Sequence, residues 1–305
     1  MSASSVALAG AAIFSTEPAE AQAEPIIDIH QHLNYSGRSD AALLAHQQTM
    51  GVTTTILLPA GRPMKTVSTH QGVANALQAD ALGNEACYQF ARQHRTAYRF
   101  GANEVPDASG ATREIDRYLE RGAVLIAEQK FGVECDAPEM QKIFQLAESR
   151  RVPVLMHWQY DMYNYGFERF HKMLEKFPRV TFLGHAQTWW ANIDRNYRNQ
   201  DGLYPKGPVT AGGITDRYLA DYPNMYADLS AGSGLNALSR DEGFTRDFLA
   251  RHQDKLVYGS DCSDPTGSGP KCQGSQTIAL IRRLAPSKQI ERKLLYDNAK
   301  RIFRI

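Results

Sequence analysis

The residues of this chain best suited to chemistry are His30 and His32, separated by Gln31. They close a short apolar run, residues 25–33, whose core IIDIH has the composition of a β-strand. Residues two apart in a strand point to the same side, so both imidazoles can grip one metal ion. An isolated H-x-H pair says little, but three other residues give it weight. His157 ends the run VPVLMH, His185 ends VTFLGH, and Asp261 ends KLVYGSD. Imidazoles and a carboxylate at the ends of four separate strands form the pattern of a metal-dependent active site. Asp28 is expected on the same side as His30, one layer deeper. It either orients an imidazole or is a buried carboxylate with another partner.

Positioning these groups takes a regular scaffold. Eight apolar, β-branched runs follow the N-terminal segment: 25–33, 53–59, 98–105, 123–131, 152–158, 180–186, 225–231 and 255–261. Their cores are continuous rather than alternating, as strands buried on both faces require. Helical patterns lie between them at 39–50, 71–94, 111–121, 138–151, 167–177, 243–252 and 275–285, and 290–303 closes the chain. Strand–helix alternation repeated eight times predicts an α/β fold, a (β/α)8 TIM barrel. No G-x-G-x-x-G follows any strand, so a doubly wound nucleotide-binding sheet has no support. Residues 187–224 form a long loop insertion after the sixth strand, and long connections of this kind are usually functional.

The domain division is 1–23 and 24–305. The first segment is Ala-rich, with a short apolar run at 6–14 and Ala21-Gln22-Ala23 as a cleavage-like site. It reads as a secretory signal without its basic start, which places the protein in the periplasm or outside the cell. A plain tail on a cytoplasmic protein is the alternative. No run is long enough for a membrane span. Lys+Arg 34 against Asp+Glu 33 leaves no basic surface for nucleic acid, so the expected partner is a small molecule, with a homo-oligomer left open. Of the four cysteines, Cys262 and Cys272 are near enough in sequence for a loop disulfide in an exported protein. Four free thiols are the alternative.

The set D-I-H-Q-H, P-V-L-M-H, F-L-G-H, Y-G-S-D and the closing N-A-K-R-I-F resembles the amidohydrolase superfamily, in particular its amidohydrolase-related branch of metal-dependent barrels. The resemblance runs from Pro25 to the C-terminus. It implies that His30, His32, His157 and Asp261 bind metal, and that His185 binds a second metal or acts on substrate. Many members of the family carry a carboxylated lysine on the fourth strand. This chain reads A-V-L-I-A-E-Q-K-F there, so Glu128 or Lys130 is the candidate fourth-strand ligand, and one metal or two stays open. Lys130 is also a candidate for binding a substrate carboxylate.

Imidazole and carboxylate donors suit Zn2+, with Mn2+ and Fe2+ as alternatives. Such an ion lowers the pKa of bound water to about 7. Asp261 is then the expected proton acceptor and donor, and His185 the group that polarises a carbonyl. Aromatic residues near the strand ends, Trp158, Tyr160, Tyr163, Tyr165, Trp189 and Trp190, are expected to wall the pocket. The remaining histidines, His46, His70, His94, His171 and His252, are read as core or surface residues. The leading function is hydrolysis of an amide, ester or lactone. Non-oxidative decarboxylation of an aromatic or unsaturated acid is the runner-up, and a non-catalytic ligand-binding barrel the third reading.

Overall fold

The computed structural model describes residue 1 and residues 24–70, 72–74 and 80–305. Its strands are β1 (Ile27–Gln31), β2 (Thr54–Leu57), β3 (Tyr98–Phe100), β4 (Ile126–Gln129), β5 (Val154–His157), β6 (Phe182–His185), β7 (Met225–Asp228) and β8 (Leu256–Val257). Each lies inside one of the eight expected runs. All neighbours pair in parallel, β1 to β3 in one sheet and β4 to β8 in another. Backbone bonds join the two sheets at both seams. Ala102 N donates to Leu125 O (2.9 Å) between β3 and β4, and Asp261 N donates to His30 O (2.8 Å) where β8 meets β1.

The helices are α1 (Asp40–Thr49), α2 (Asn84–Gln93), α3 (Ala111–Glu120), α4 (Pro138–Arg150), α5 (His171–Lys176), α6 (Gln187–Ala191), α7 (Ile214–Asp221), α8 (Ala231–Ser239), α9 (Glu242–Arg251), α10 (Gln273–Leu284), α11 (Lys288–Arg292) and α12 (Asn298–Phe303). The strands have two apolar faces, as their continuous hydrophobic sequence requires. Ile29, Ile56, Leu155, Leu183 and Val257 form an inner cluster that Ala299 and Phe303 of α12 close. Leu57, Phe100, Met156, Phe182 and Leu256 face the helix layer.

Two strands break the simple alternation, and the break aims the site. Along β5 and β6 the inner apolar residue and the histidine keep one parity, Leu155 with His157 and Leu183 with His185. On β1 the register runs from Asp28↔Thr55 to Gln31↔Leu57, and on β4 from Ile126↔Val154 to Gln129↔Met156. Each holds one extra residue, a bulge. It lets Ile27 and Ile29, and then His30 and His32, all face the barrel axis. The same shift turns Leu125 and Ala127, then Glu128, inward.

Asp28 therefore does not share the face of His30. It points to the helix layer and accepts from Gln47 of α1 (3.1 Å) and from Ser260 N (2.8 Å) and Oγ (2.5 Å).

Three stretches depart from the sequence reading, and a fourth lies outside the described residues. The helix expected over 71–94 starts at Asn84. Residues 72–74 and 80–83 are not helical, and 71 and 75–79 lie outside the described residues. The seventh strand, expected to reach 231, ends at Asp228, and Ala231 opens α8. The connection 187–224 holds two helices, α6 and α7. The leader-like segment 1–23, residue 1 apart, lies outside the described residues. No helix among the described residues is long and apolar enough to cross a membrane.

Candidate metal centre

Bulged β1 brings His30 Nε2 and His32 Nε2 to 3.2 Å of one another. The opposite ring nitrogens are fixed. His32 Nδ1 donates to Leu58 O (2.7 Å), and His30 Nδ1 bonds Asp228 Oδ2 (2.7 Å). Both Nε2 atoms therefore present lone pairs when the rings are neutral. Two lone pairs face one another at this distance only with a proton or a cation between them. Asp261 Oδ1 stands 3.7 and 3.6 Å from these two nitrogens, and Glu128 Oε2 stands 3.6 and 3.7 Å from them. Donors about 2.0–2.2 Å from a tetrahedral ion are about 3.3–3.6 Å apart, so this cradle fits a divalent cation.

Glu128 has a second oxygen with its own company. Its Oε1 accepts from His157 Nδ1 (2.5 Å) and stands 3.7 Å from His185 Nε2. The tautomer of His185 follows from its neighbours. Ser230 Oγ donates to Asp228 Oδ2 (2.7 Å) and so accepts from His185 Nδ1 (3.0 Å), leaving Nε2 as a lone pair. His157 Nε2, His185 Nε2 and Asp261 Oδ1 are buried without a hydrogen-bond partner among the described residues. Buried polar atoms rarely stay unpaired, and cations held by the surrounding donors would satisfy all three. The donors form two groups, His30 with His32 and Asp261, and Glu128 with His157 and His185.

The electrostatics keep most of these groups in ligating form. Burial, then the charge of His30, pushes His32 down to about 4. Burial and the Lys130 ammonium push His157 down to about 3, and burial with His30 lowers His185. Burial would raise Glu128, but His157 and Lys130 hold it well below the usual carboxylate range. Burial would likewise raise Asp261, but His30 and His32 hold it below that range. His30 is the exception. Burial opposes its charge, yet Asp261 and Asp228 raise it well above an ordinary histidine. A proton on His30 and a cation therefore compete for the gap to His32.

Because proton and cation compete there, cation affinity is expected to rise with pH and to fall as pH drops towards acid. We expect about a tenfold change per pH unit for each proton displaced, read by chelator-competition titration between about pH 6 and 8.

These groups open into a cavity of about 300 Å³ whose wall includes Tyr35, Lys130, Gln159, Tyr204 and Gln273. Lys130 Nζ lies 5.4 Å from the centre of the Tyr163 ring. Tyr35 packs edge-on against His32, and burial with the nearby Asp261 carboxylate pushes its phenol well above its usual range. The three tryptophans are elsewhere. Trp158 follows inward-facing His157 and therefore points outward, stacked on Trp189 and packed on Phe170. Trp189 lies over Gly184, where a Cβ would come within 2.4 Å of its ring. Trp190 packs against Phe248 and donates to Asp228 O (3.1 Å). The expected aromatic wall of Trp158, Trp189 and Trp190 is instead core between barrel and helices. Tyr160 is half exposed beside a neighbouring cavity of about 640 Å³.

Asp228 and Ser230 were not singled out from sequence. The signal was a carboxylate at the end of the seventh run, MYADLS, at the same position as the other strand-end groups. Asp228→Asn, which weakens the charge-assisted bond that orients His30, is expected to lower cation affinity about 10–100-fold with little change in fold. Isothermal titration with Zn2+ and Mn2+, beside circular dichroism, measures both.

The sequence profile of the amidohydrolase family matches residues 27–305. The chain belongs to that family. Solved structures of similar fold agree with the barrel seen here. An uncharacterised TIM-barrel protein from Bordetella bronchiseptica superposes with a TM-score of 0.63 at 13% identity, over 92% of this chain and 98% of its own. A probable 2-pyrone-4,6-dicarboxylic acid hydrolase from Acinetobacter baumannii, with citric acid bound, gives 0.58 at 12%, over 92% and 99%. A dihydroxybenzoic acid decarboxylase from Polaromonas, with bound manganese and the inhibitor 2-nitroresorcinol, gives 0.58 at 13%, over 92% and 97%. No curated protein matches the chain. For an amidohydrolase-family barrel, the C-terminal strand ends are where catalytic groups belong, and the histidines and Asp261 stand there.

Proposed function

We propose that this chain is a metal-dependent hydrolase that opens an amide, ester or lactone bearing a carboxylate. The observation that carries the reading is Glu128, whose two oxygens serve two different donor groups. His30, His32, Asp261 and Glu128 would hold one divalent cation, and Glu128, His157 and His185 would hold a second once the His157 Nδ1–Glu128 Oε1 hydrogen bond opens. The donor set suits Zn2+, Mn2+ or Fe2+. When bound, such ions acidify water and polarise the oxygen of a substrate carbonyl.

The chain's own groups do the rest. Asp261 directs Oδ1 at the cradle and Oδ2 towards His185, so Oδ2 is the atom that takes the proton of the attacking water and returns it to the leaving group. Lys130 offers its ammonium to a substrate carboxylate at the wall of the same cavity. Buried Asp228 and Ser230 hold His30 and His185 in the tautomers that leave Nε2 free.

One feature also favours non-oxidative decarboxylation as a second reading. Lys130 would seat a carboxylate whether that group is a handle or the group lost, and one similar barrel is a decarboxylase of dihydroxybenzoic acid. A panel of carboxylated lactones, esters, amides and hydroxybenzoic acids separates the two. Formation of the ring-opened acid, or of acid with free alcohol or amine, without carbon dioxide, abolished by chelator and restored by a divalent cation, supports hydrolysis. Carbon dioxide release moves the assignment to the second reading. Turnover that ignores chelator on every member defeats both.

A further inference from the structure

A second cluster of donors lies where α1 meets the segment after β8. Cys262 directly follows Asp261, Cys272 precedes α10, His46 lies in the last turn of α1, and Met50 caps that helix. All four side chains are buried. Cys272 Sγ is the hub, 3.7 Å from Cys262 Sγ, 3.5 Å from His46 Nε2 and 3.7 Å from Met50 Sδ. Both cysteines are free thiols. A tetrahedral ion with bonds of about 2.3 Å to sulfur and about 2.0–2.1 Å to nitrogen spaces its donors about 3.8 Å (S to S) and about 3.6 Å (S to N). The three distances from Cys272 match those spacings, and the ligand atoms of His46, Cys262 and Cys272 all lie within 4.8 Å of one another.

The chemistry of the set is soft. Two thiols, an imidazole and a thioether favour Cu+ and Zn2+ over Mg2+ or Mn2+. The sulfur of Cys272 also accepts from Ser275 N (3.4 Å) at the start of α10, an arrangement that favours the thiolate that a metal needs. We propose that Cys262, Cys272 and His46, with Met50 as fourth donor, form a structural site for one thiophilic cation, Zn2+ or Cu+, separate from the histidine–carboxylate cavity. Binding would convert both thiols to thiolates, and the displaced protons would leave to solvent.

Its consequence is mechanical. The segment from Cys262 to Cys272 runs between Asp261 and Gln273, and both of those residues line the cavity. It folds closely over α1, where a Cβ at Gly267 would meet His46 O at 2.4 Å. Arg38 already fixes it by donating to Cys262 O (2.6 Å) and Asp264 O (3.1 Å). A cation joining Cys262 and Cys272 to α1 would lock the strand end that carries Asp261.

The test is Co2+ titration of the reduced full chain, read by thiolate-to-cobalt charge-transfer absorption. The histidine–carboxylate groups contain no sulfur and give no such band, so the result is independent of the proposed activity. We expect the band to saturate at one equivalent per chain and to bleach on adding Zn2+. Cys272→Ser should abolish it. His46→Gln should weaken Co2+ binding about 10-fold or more, with Met50→Leu a milder case that preserves the thiols. If Cys272→Ser does not fold, the wild-type, His46→Gln and Met50→Leu titrations decide. Absence of the band in wild-type protein whose thiols are all titratable after unfolding overturns the proposal. So does a mass two hydrogens short in protein from its own host, the mark of a Cys262–Cys272 disulfide.

Discussion

Asp261→Asn is expected to lower kcat by about 10²–10⁴-fold on whichever panel substrate the enzyme turns over. Asparagine keeps the size of the side chain and one carbonyl oxygen that can still face His30 and His32. It cannot take up the proton of attacking water. The carboxylate of Asp261 lies below the usual range because His30 and His32 outweigh the effect of burial, so it is ionised and ready to accept at neutral pH. Substitution removes that base while the apolar inner cluster beneath it is untouched. Steady-state kinetics with parallel measurement of metal content and melting temperature isolates the proton role. An Asn variant that is folded, metal-loaded and fully active would remove Asp261 from the reaction.

If Glu128 bridges two ions as proposed, Glu128→Gln is expected to lower cation loading from two ions per chain to one or none, and activity by about 10²-fold or more. Each carboxylate oxygen now serves one donor group. In the amide, one of those positions becomes an NH2 donor. It would be directed at the lone pair of His185 or into the cradle of His30 and His32, where a cation should be. The negative charge that offsets two cations is lost as well. Elemental analysis of dialysed protein and anomalous scattering give the stoichiometry at each position. Two fully occupied ions in the Gln variant would refute bridging by Glu128. A wild-type protein with only one ion would place Glu128 in a mononuclear site.

Much of this arrangement was legible before any fold was drawn. Runs such as VPVLMH and VTFLGH are too apolar and too β-branched to be anything but strands buried on both faces. Their final histidines could only lie at the mouth of the sheet. The helices missed were the weakly patterned ones. α6 is five residues long, and α8 contains two glycines that lower its propensity. α7 carries a readable stripe, Thr215, Tyr218 and Leu219, inside what looked like loop. Proximity to a strand end does not make the tryptophans pocket walls. Strand parity sends Trp158 outward, and the indole of Trp189 fills the space over Gly184.

What the sequence determined by itself was the barrel, the family, and the candidate groups at its mouth: His30, His32, His157, His185 and Asp261, with Glu128 or Lys130 from the fourth strand. These follow from local composition and period, which act over a few residues. What the tertiary structure alone decided was how those groups share the space. One extra residue in β1 and another in β4 rotate His30 and Glu128 inward and Asp28 outward. Closure of the ring brings Asp228 to His30 across 198 residues of chain, and the shifted pairing of β4 with β5 brings His157 to Glu128. Register and closure are long-range properties of hydrogen-bonded strands. No local pattern records them, and they decide which nitrogen faces which oxygen.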